Sequence, residues 1–130
     1  MVSLSKARKI IEEINADPIN VQNIINSSQY GICITDGDGI FRFVSDYYTE
    51  IYGYSRSELI GNSFTMIVPS KDKDYLKGLH DQFIEEGAEI SRAWEVEGKG
   101  GKKMKIFADA LFTSAIDGKP HKVTFVEPQT

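Results

Sequence analysis

Residues 30–61 constrain this chain more than any other segment. Tyr30-Gly-Ile-Cys-Ile-Thr35 is β-rich, and Asp36-Gly-Asp-Gly39 follows it directly. An unbroken run of turn formers between apolar segments specifies a tight hairpin, because glycine reaches positive φ without a Cβ penalty. Ile40, Phe41, Phe43 and Val44 make the return strand. With Ile32 and Ile34 they leave apolar side chains on both faces, so the hairpin is expected to be covered on both sides. Ser45 then caps a short helix carrying Tyr47, Tyr48, Ile51 and Tyr52, which stops at Gly53. Ser55-Arg-Ser-Glu58 has the spacing of a capping box, and Gly61 closes the next turn.

The flanks extend the pattern. Residues 3–16 predict an amphipathic helix with Ile10, Ile11 and Ile14 on one face. Asp17-Pro18 restarts the chain as cap and first helical residue, and Val21, Ile24 and Ile25 form a second apolar stripe. A short isolated helix needs a packing partner. The first helix is therefore read either as a cover for the sheet or as a dimer seam, its stripe being too short for a coiled coil. Beyond the apolar loop at Phe64, Met66, Ile67 and Val68, Ser70 or Asp72 opens a longer helix through Glu86, with Leu76, Leu79 and Phe83 facing inward. Three strands follow: Ile90–Glu97 with Trp94, Met104–Thr113, and Val123–Val126, separated by Gly98-Lys-Gly-Gly101 and Asp117-Gly-Lys-Pro120. Strands separated by a block of helices indicate α+β with an antiparallel sheet.

Composition excludes several function classes. The chain has 130 residues, enough for one domain, with 41% hydrophobic and 26% charged residues, as in ordinary globular proteins. A net charge of −4 and scattered basic residues argue against nucleic acid as a partner. No apolar run approaches a membrane span, and the first residues lack the apolar core of a signal peptide. Cys33, the only cysteine, permits no internal disulfide, so a cytoplasmic setting is expected. Gly98-Lys-Gly-Gly-Lys102 has hairpin context rather than that of a phosphate loop. Ser-His-Asp arrangements and metal-binding His/Cys clusters are not legible, so the chain reads as non-enzymatic.

The segments GICITDGDGIF and GYSRSELIGNSF, Pro69-Ser-Lys-Asp72 opening a long helix, a glycine-tipped hairpin and DGKPHKVTFVE occur in this order. Together they resemble the PAS family over residues 23–127. The resemblance implies a five-stranded antiparallel sheet with helices packed on one face around a small cavity. Residues 1–22 then form an N-terminal helical extension and residues 128–130 a tail. It implies a sensory, signal-transducing module that binds a small molecule or a partner protein and acts through dimer or partner contacts. The expected dimer forms through the N-terminal helix or a sheet face. A ligand-free dimerisation or docking scaffold is the alternative. Where many relatives have an asparagine after the second strand, Ser45 stands here. Where many continue into a signalling helix, this chain reaches Pro128, which is expected to stop the strand.

Candidate pocket-lining residues are Cys33, Tyr47, Tyr48, Phe64, Met66, Leu79, Phe83 and Trp94. The Asn-Cys-Arg-Phe-Leu run of photosensory flavin-binding relatives is absent, and Cys33 reads as a small core residue. Haem-binding relatives use a histidine on the long helix. His80 lies there, but beside Asp81 and Gln82 it reads as turned toward the polar side. His121, next to Lys122, reads as a surface residue. No cofactor is therefore the leading expectation, with noncovalent flavin over Trp94 and haem on His80 as alternatives.

Overall fold

The structure, a computed structural model, describes residues 3–129. Helix α1 (Leu4–Ala16), a 3-10 turn at Pro18–Asn20 and helix α2 (Val21–Asn26) precede the sheet. Strands β1 (Gly31–Thr35) and β2 (Phe41–Val44) form the expected hairpin. Helices α3 (Asp46–Tyr52), α4 (Arg56–Leu59) and α5 (Lys73–Glu86) follow, with 3-10 turns at Phe64–Ile67 and Ser70–Asp72 before α5. Strands β3 (Ile90–Glu97), β4 (Lys103–Thr113) and β5 (His121–Pro128) complete one five-stranded antiparallel sheet, in the order β2-β1-β5-β4-β3.

Both faces of the sheet are covered. Ala7, Ile11 and Ile14 of α1, with Val21 and Ile25, pack on Ile32, Ile34, Leu111, Val123 and Phe125. Their spacing of three to four residues puts them on one helical stripe, and that stripe is spent on the sheet. Helix α1 thus covers this face of the sheet. Arg8 pairs with Glu89 at 2.7 Å, and Thr113 donates to Asn15 Oδ1 at 2.6 Å, fixing the helix along β4. On the opposite face Phe41, Val44, Tyr48, Tyr52, Leu59, Ile67 and Val68 form a second core with Cys33, Val96, Ile106, Ala108 and Val126.

Two local features place the helices of this second face. A Cβ at Gly31 would stand 2.7 Å from Ile51 Cδ1 and 2.8 Å from Val126 Cγ2, so glycine is what lets α3 lie close over β1. Ser45 joins strand to helix: its Oγ accepts from Tyr48 N at 3.3 Å as the helix cap and from Ile32 N at 2.9 Å across the hairpin. Its side chain is fully buried. The capping box at Ser55 and Glu58 is complete.

One expectation on this strand needs correction and another holds. His121 is only 3% exposed. Alternation along β5 puts it on the same face as Val123 and Phe125, and its Nδ1 lies 2.9 Å from the Lys119 carbonyl. The last strand ends at Pro128, as expected; Pro128 pairs with Ile106, and Gln129 N donates to Lys105 O at 3.0 Å. Proline lacks the donor that a further ladder pair would need.

Ser45→Ala removes acceptors from both the helix and a buried strand amide. Urea unfolding should show a loss of about 1–3 kcal/mol relative to wild type. An unchanged midpoint would show that this junction contributes nothing.

Candidate functional site

A cavity of about 90 Å³ lies between the sheet and the helices of the second face. Its floor follows from strand register. Thr35 pairs with Lys122, Cys33 with Thr124, and Gly31 with Val126 across β1 and β5. Ala110 pairs with Thr124, and Ala108 with Val126, across β4 and β5. Directly opposed residues share a face, so these side chains all point to the helices. Ala108, Ala110, Cys33 and the two threonines are small, and space remains above them. Leu76, Leu79 and His80 of α5, Phe64 and Ile67, Tyr48 and Tyr52, and Ile90, Trp94 and Val96 of β3 close the sides.

Of the residues singled out from sequence, Cys33, Tyr48, Phe64, Leu79 and Trp94 meet at this cavity. Tyr47 lies outside it, 39% exposed, because Tyr48 and Tyr52 hold the inward face of α3. Met66 packs against the second core without reaching the cavity. Phe83 is buried and borders a neighbouring depression with Leu79 and Ile90.

His80 departs most from its expected place. It is 1% exposed and lines the cavity, with Nε2 2.9 Å from the Asp36 carbonyl and its ring 5.1 Å from that of Phe64. A carbonyl only accepts, so Nε2 carries the proton. Burial and the nearby Lys122 ammonium depress its pKa to about 4, although the Asp36 hydrogen bond acts in the other direction. Helical phase indicated this orientation: His80 falls four residues after Leu76 and three before Phe83.

Lys122, which residue order alone does not single out, also lines the cavity. Its Nζ stands 5.4 Å from the Phe83 ring centroid and 5.9 Å from that of Phe64. The ammonium makes no ion pair or hydrogen bond to a described residue. Burial lowers its pKa, partly offset by Cys33. Thr35, Thr124, Ala108 and Ala110 were also missed, since only cross-strand register assembles them. Burial pushes the Cys33 thiol up to about 11, with the Tyr48 hydroxyl and Thr124 offsetting part of the shift, so it is a neutral wall group. The Tyr48 and Tyr52 hydroxyls are likewise raised by burial, and their rings lie 4.5 Å apart.

The chain matches the family described as PAS fold over residues 20–124. It belongs to the PAS family. Solved structures agree in fold. A PAS domain of an HTR-like protein from Haloarcula marismortui superposes with a TM-score of 0.69 at 19% identity, covering 96% of this chain and 99% of that one. A PAS domain from Desulfitobacterium hafniense gives 0.73 at 14% identity, covering 82% and 99%. The PAS domain of a LuxR-family transcriptional regulator from Burkholderia thailandensis, in complex with ethanol, gives 0.64 at 19% identity, covering 82% and 94%. No curated protein matches the chain in sequence. PAS domains are generally sensory modules of signalling proteins.

The cavity of this PAS domain fits neither haem nor flavin. Its 90 Å³ falls below the roughly 300 Å³ at which sites for larger ligands begin. His80 Nε2 already serves the Asp36 carbonyl, and one face of Trp94 carries the Arg92 guanidinium at 3.9 Å. Among the described residues no group of three or more His, Cys, Asp or Glu could hold a metal ion, and no helix is long and apolar enough to cross a membrane.

His80 makes stability pH-dependent. Its pKa is near 4 when folded and about 6.5 in an unfolded chain, so the unfolded state binds more protons between these values. Stability is complete above about pH 6.5 and falls, by about 2–3 kcal/mol, as pH drops toward 4. His80→Gln keeps a donor for Asp36 and should flatten this slope in urea titrations across the window. An equal slope in both proteins would refute the assignment.

Proposed function

We propose that this PAS domain is a non-catalytic sensory module that takes a molecule of roughly three to five non-hydrogen atoms in its cavity. The observation that carries this reading is the cavity itself: apolar walls and small floor residues, with hydroxyls, a neutral imidazole and one ammonium around about 90 Å³. An apolar cavity of about 150 Å³ holds one benzene, which sets the scale. The ethanol complex of the Burkholderia thailandensis PAS domain concerns a molecule of the same size. A scaffold that only docks needs no such space, and its own aromatics would fill it.

Transmission follows from the sheet acting as a shared wall. Thr124 faces the cavity, while its neighbours Val123 and Phe125 hold α1 and α2. A ligand that alters the packing of β4 and β5 changes the seat of α1, and a signalling partner or second copy reads that change. The mechanism is a population shift, limited by the ligand's differential affinity for the two arrangements.

Ala110→Leu adds about three methylene-sized groups to the floor. The variant should fold, within about 1–3 kcal/mol of wild type, and lose the binding of small alcohols and acids that nuclear magnetic resonance titration detects in wild type. Hydrogen exchange in α1 should change on ligand addition in wild type alone. Wild type that binds no small molecule, or Ala110→Leu that binds as well, would favour the docking scaffold.

A further inference from the structure

Lys122 is the one feature of the cavity that generic packing leaves unexplained. It sits in the middle strand of the sheet, between Thr35 of β1 and Phe112 of β4 in register. Lys122 is half-buried, and burial of part of its side chain in a strand covered on both faces carries a desolvation cost, which natural interiors offset with a carboxylate. Here no described carboxylate lies within 4 Å of Nζ. The groups that do face it are neutral. Phe64 and Phe83 offer ring faces, His80 is held uncharged, and the Cys33 thiol is protonated. Cation–π attraction is weaker than a hydrogen-bonded counter-charge and leaves the ammonium's donors free. Asp81 is close enough to influence His80, but it is bound to Lys77 on the exposed side of α5. The site is a single positive charge at one end of a hollow whose other polar groups, the hydroxyls of Thr35, Thr124, Tyr48 and Tyr52, the Cys33 thiol and the His80 imidazole, are neutral.

The hollow has a matching polarity along its length. Successive residues on one face of a strand stand about 7 Å apart, so the rows Thr35–Lys122, Cys33–Thr124–Ala110 and Val126–Ala108 step from charged to polar to apolar. A molecule of a few atoms spans the first two rows. Resting on the cavity reading above, we infer that the ligand is a small monocarboxylate whose oxygens pair with Lys122 and whose alkyl end lies over Ala110. A single ammonium balances a single negative charge. Inorganic phosphate, more highly charged and strongly hydrated, meets too few donors and too much apolar wall.

The experiment compares isosteres on the intact chain at constant ionic strength. The probes are propionate, propionamide, 1-propanol and inorganic phosphate, titrated by nuclear magnetic resonance. Propionate should bind in the micromolar to millimolar range that about five non-hydrogen atoms allow, at least about tenfold tighter than propionamide. Phosphate should not bind. Lys122→Met should weaken propionate at least about tenfold and leave 1-propanol within about threefold. In the absence of ligand its melting temperature should equal or exceed that of wild type, because an uncompensated charge has been removed. Binding of 1-propanol or propionamide as tight as that of propionate would overturn the carboxylate inference and leave the cavity reading standing. Propionate affinity unchanged in Lys122→Met would do the same. Failure of every probe would overturn both. Should Lys122→Met fail to fold, the wild-type comparison of acid with amide decides alone.

Discussion

A strand buried on both faces sends each successive residue into one of two interiors, and the rest of this structure depends on that sorting. In β5 the residues His121, Val123 and Phe125 go to the α1 side, while Lys122, Thr124 and Val126 go to the cavity. A one-residue slip would exchange the two sets and bury the lysine under α1 among Ile11, Ile14 and Ile25. Register is therefore strongly fixed. The neighbouring strands carry complementary sets, with Ile32 and Ile34 outward in β1 and Cys33 and Thr35 inward. The hydrophobic driving force acts on both sides at once, and burying these rows is what orders α1 against one face and α3 to α5 against the other.

Space in the second interior arises from a mismatch between small floor residues and large lid residues. Gly31 draws α3 down onto β1, whereas Ala108 and Ala110 leave β4 without side chains long enough to meet α5. The corner near Asp36 holds the lid in place. Gly39 accepts from Phe64 N at 2.9 Å, Ile40 pairs with Ser63, and His80 reaches the Asp36 carbonyl. The hairpin turn is thus a fixed point shared by the sheet, the 3-10 turn at Phe64 and α5. Packing cannot close this corner of the hollow without breaking these bonds.

The parts legible from residue order were those governed by local rules. The hairpin turn, the Ser45 cap, the Ser55 capping box and the glycine stops each need only a few neighbouring residues, and these, with the resemblance they carry, identify the fold. The site was less legible because it depends on pairing between distant strands. Lys122 beside Thr35, and Ala110 beside Thr124, become neighbours only once register is known. His80 was misplaced for a different reason. Its polar neighbours Asp81 and Gln82 suggested a solvated face, but its phase with Leu76 and Phe83 pointed inward. Phase depends on backbone geometry and outweighs residue type when a buried acceptor such as the Asp36 carbonyl is available. His121 illustrates the same rule on the other face of β5.

Two of the titratable groups around the hollow, His80 and Lys122, constrain each other. His80 and Lys122 are close enough that protonating the imidazole would place two positive charges in one poorly solvated space, and Lys122 contributes to keeping His80 neutral. That leaves the cavity with one charge rather than two near neutral pH. A bound anion would ease this repulsion and raise the affinity of His80 for its proton, so anion binding and proton uptake are linked with the same sign. Protonated His80 keeps its Nε2 hydrogen bond to Asp36, so the change involves the charge of the lid without releasing its attachment. On the carboxylate inference, a module built this way would answer to the charge of what enters the cavity as well as to its shape.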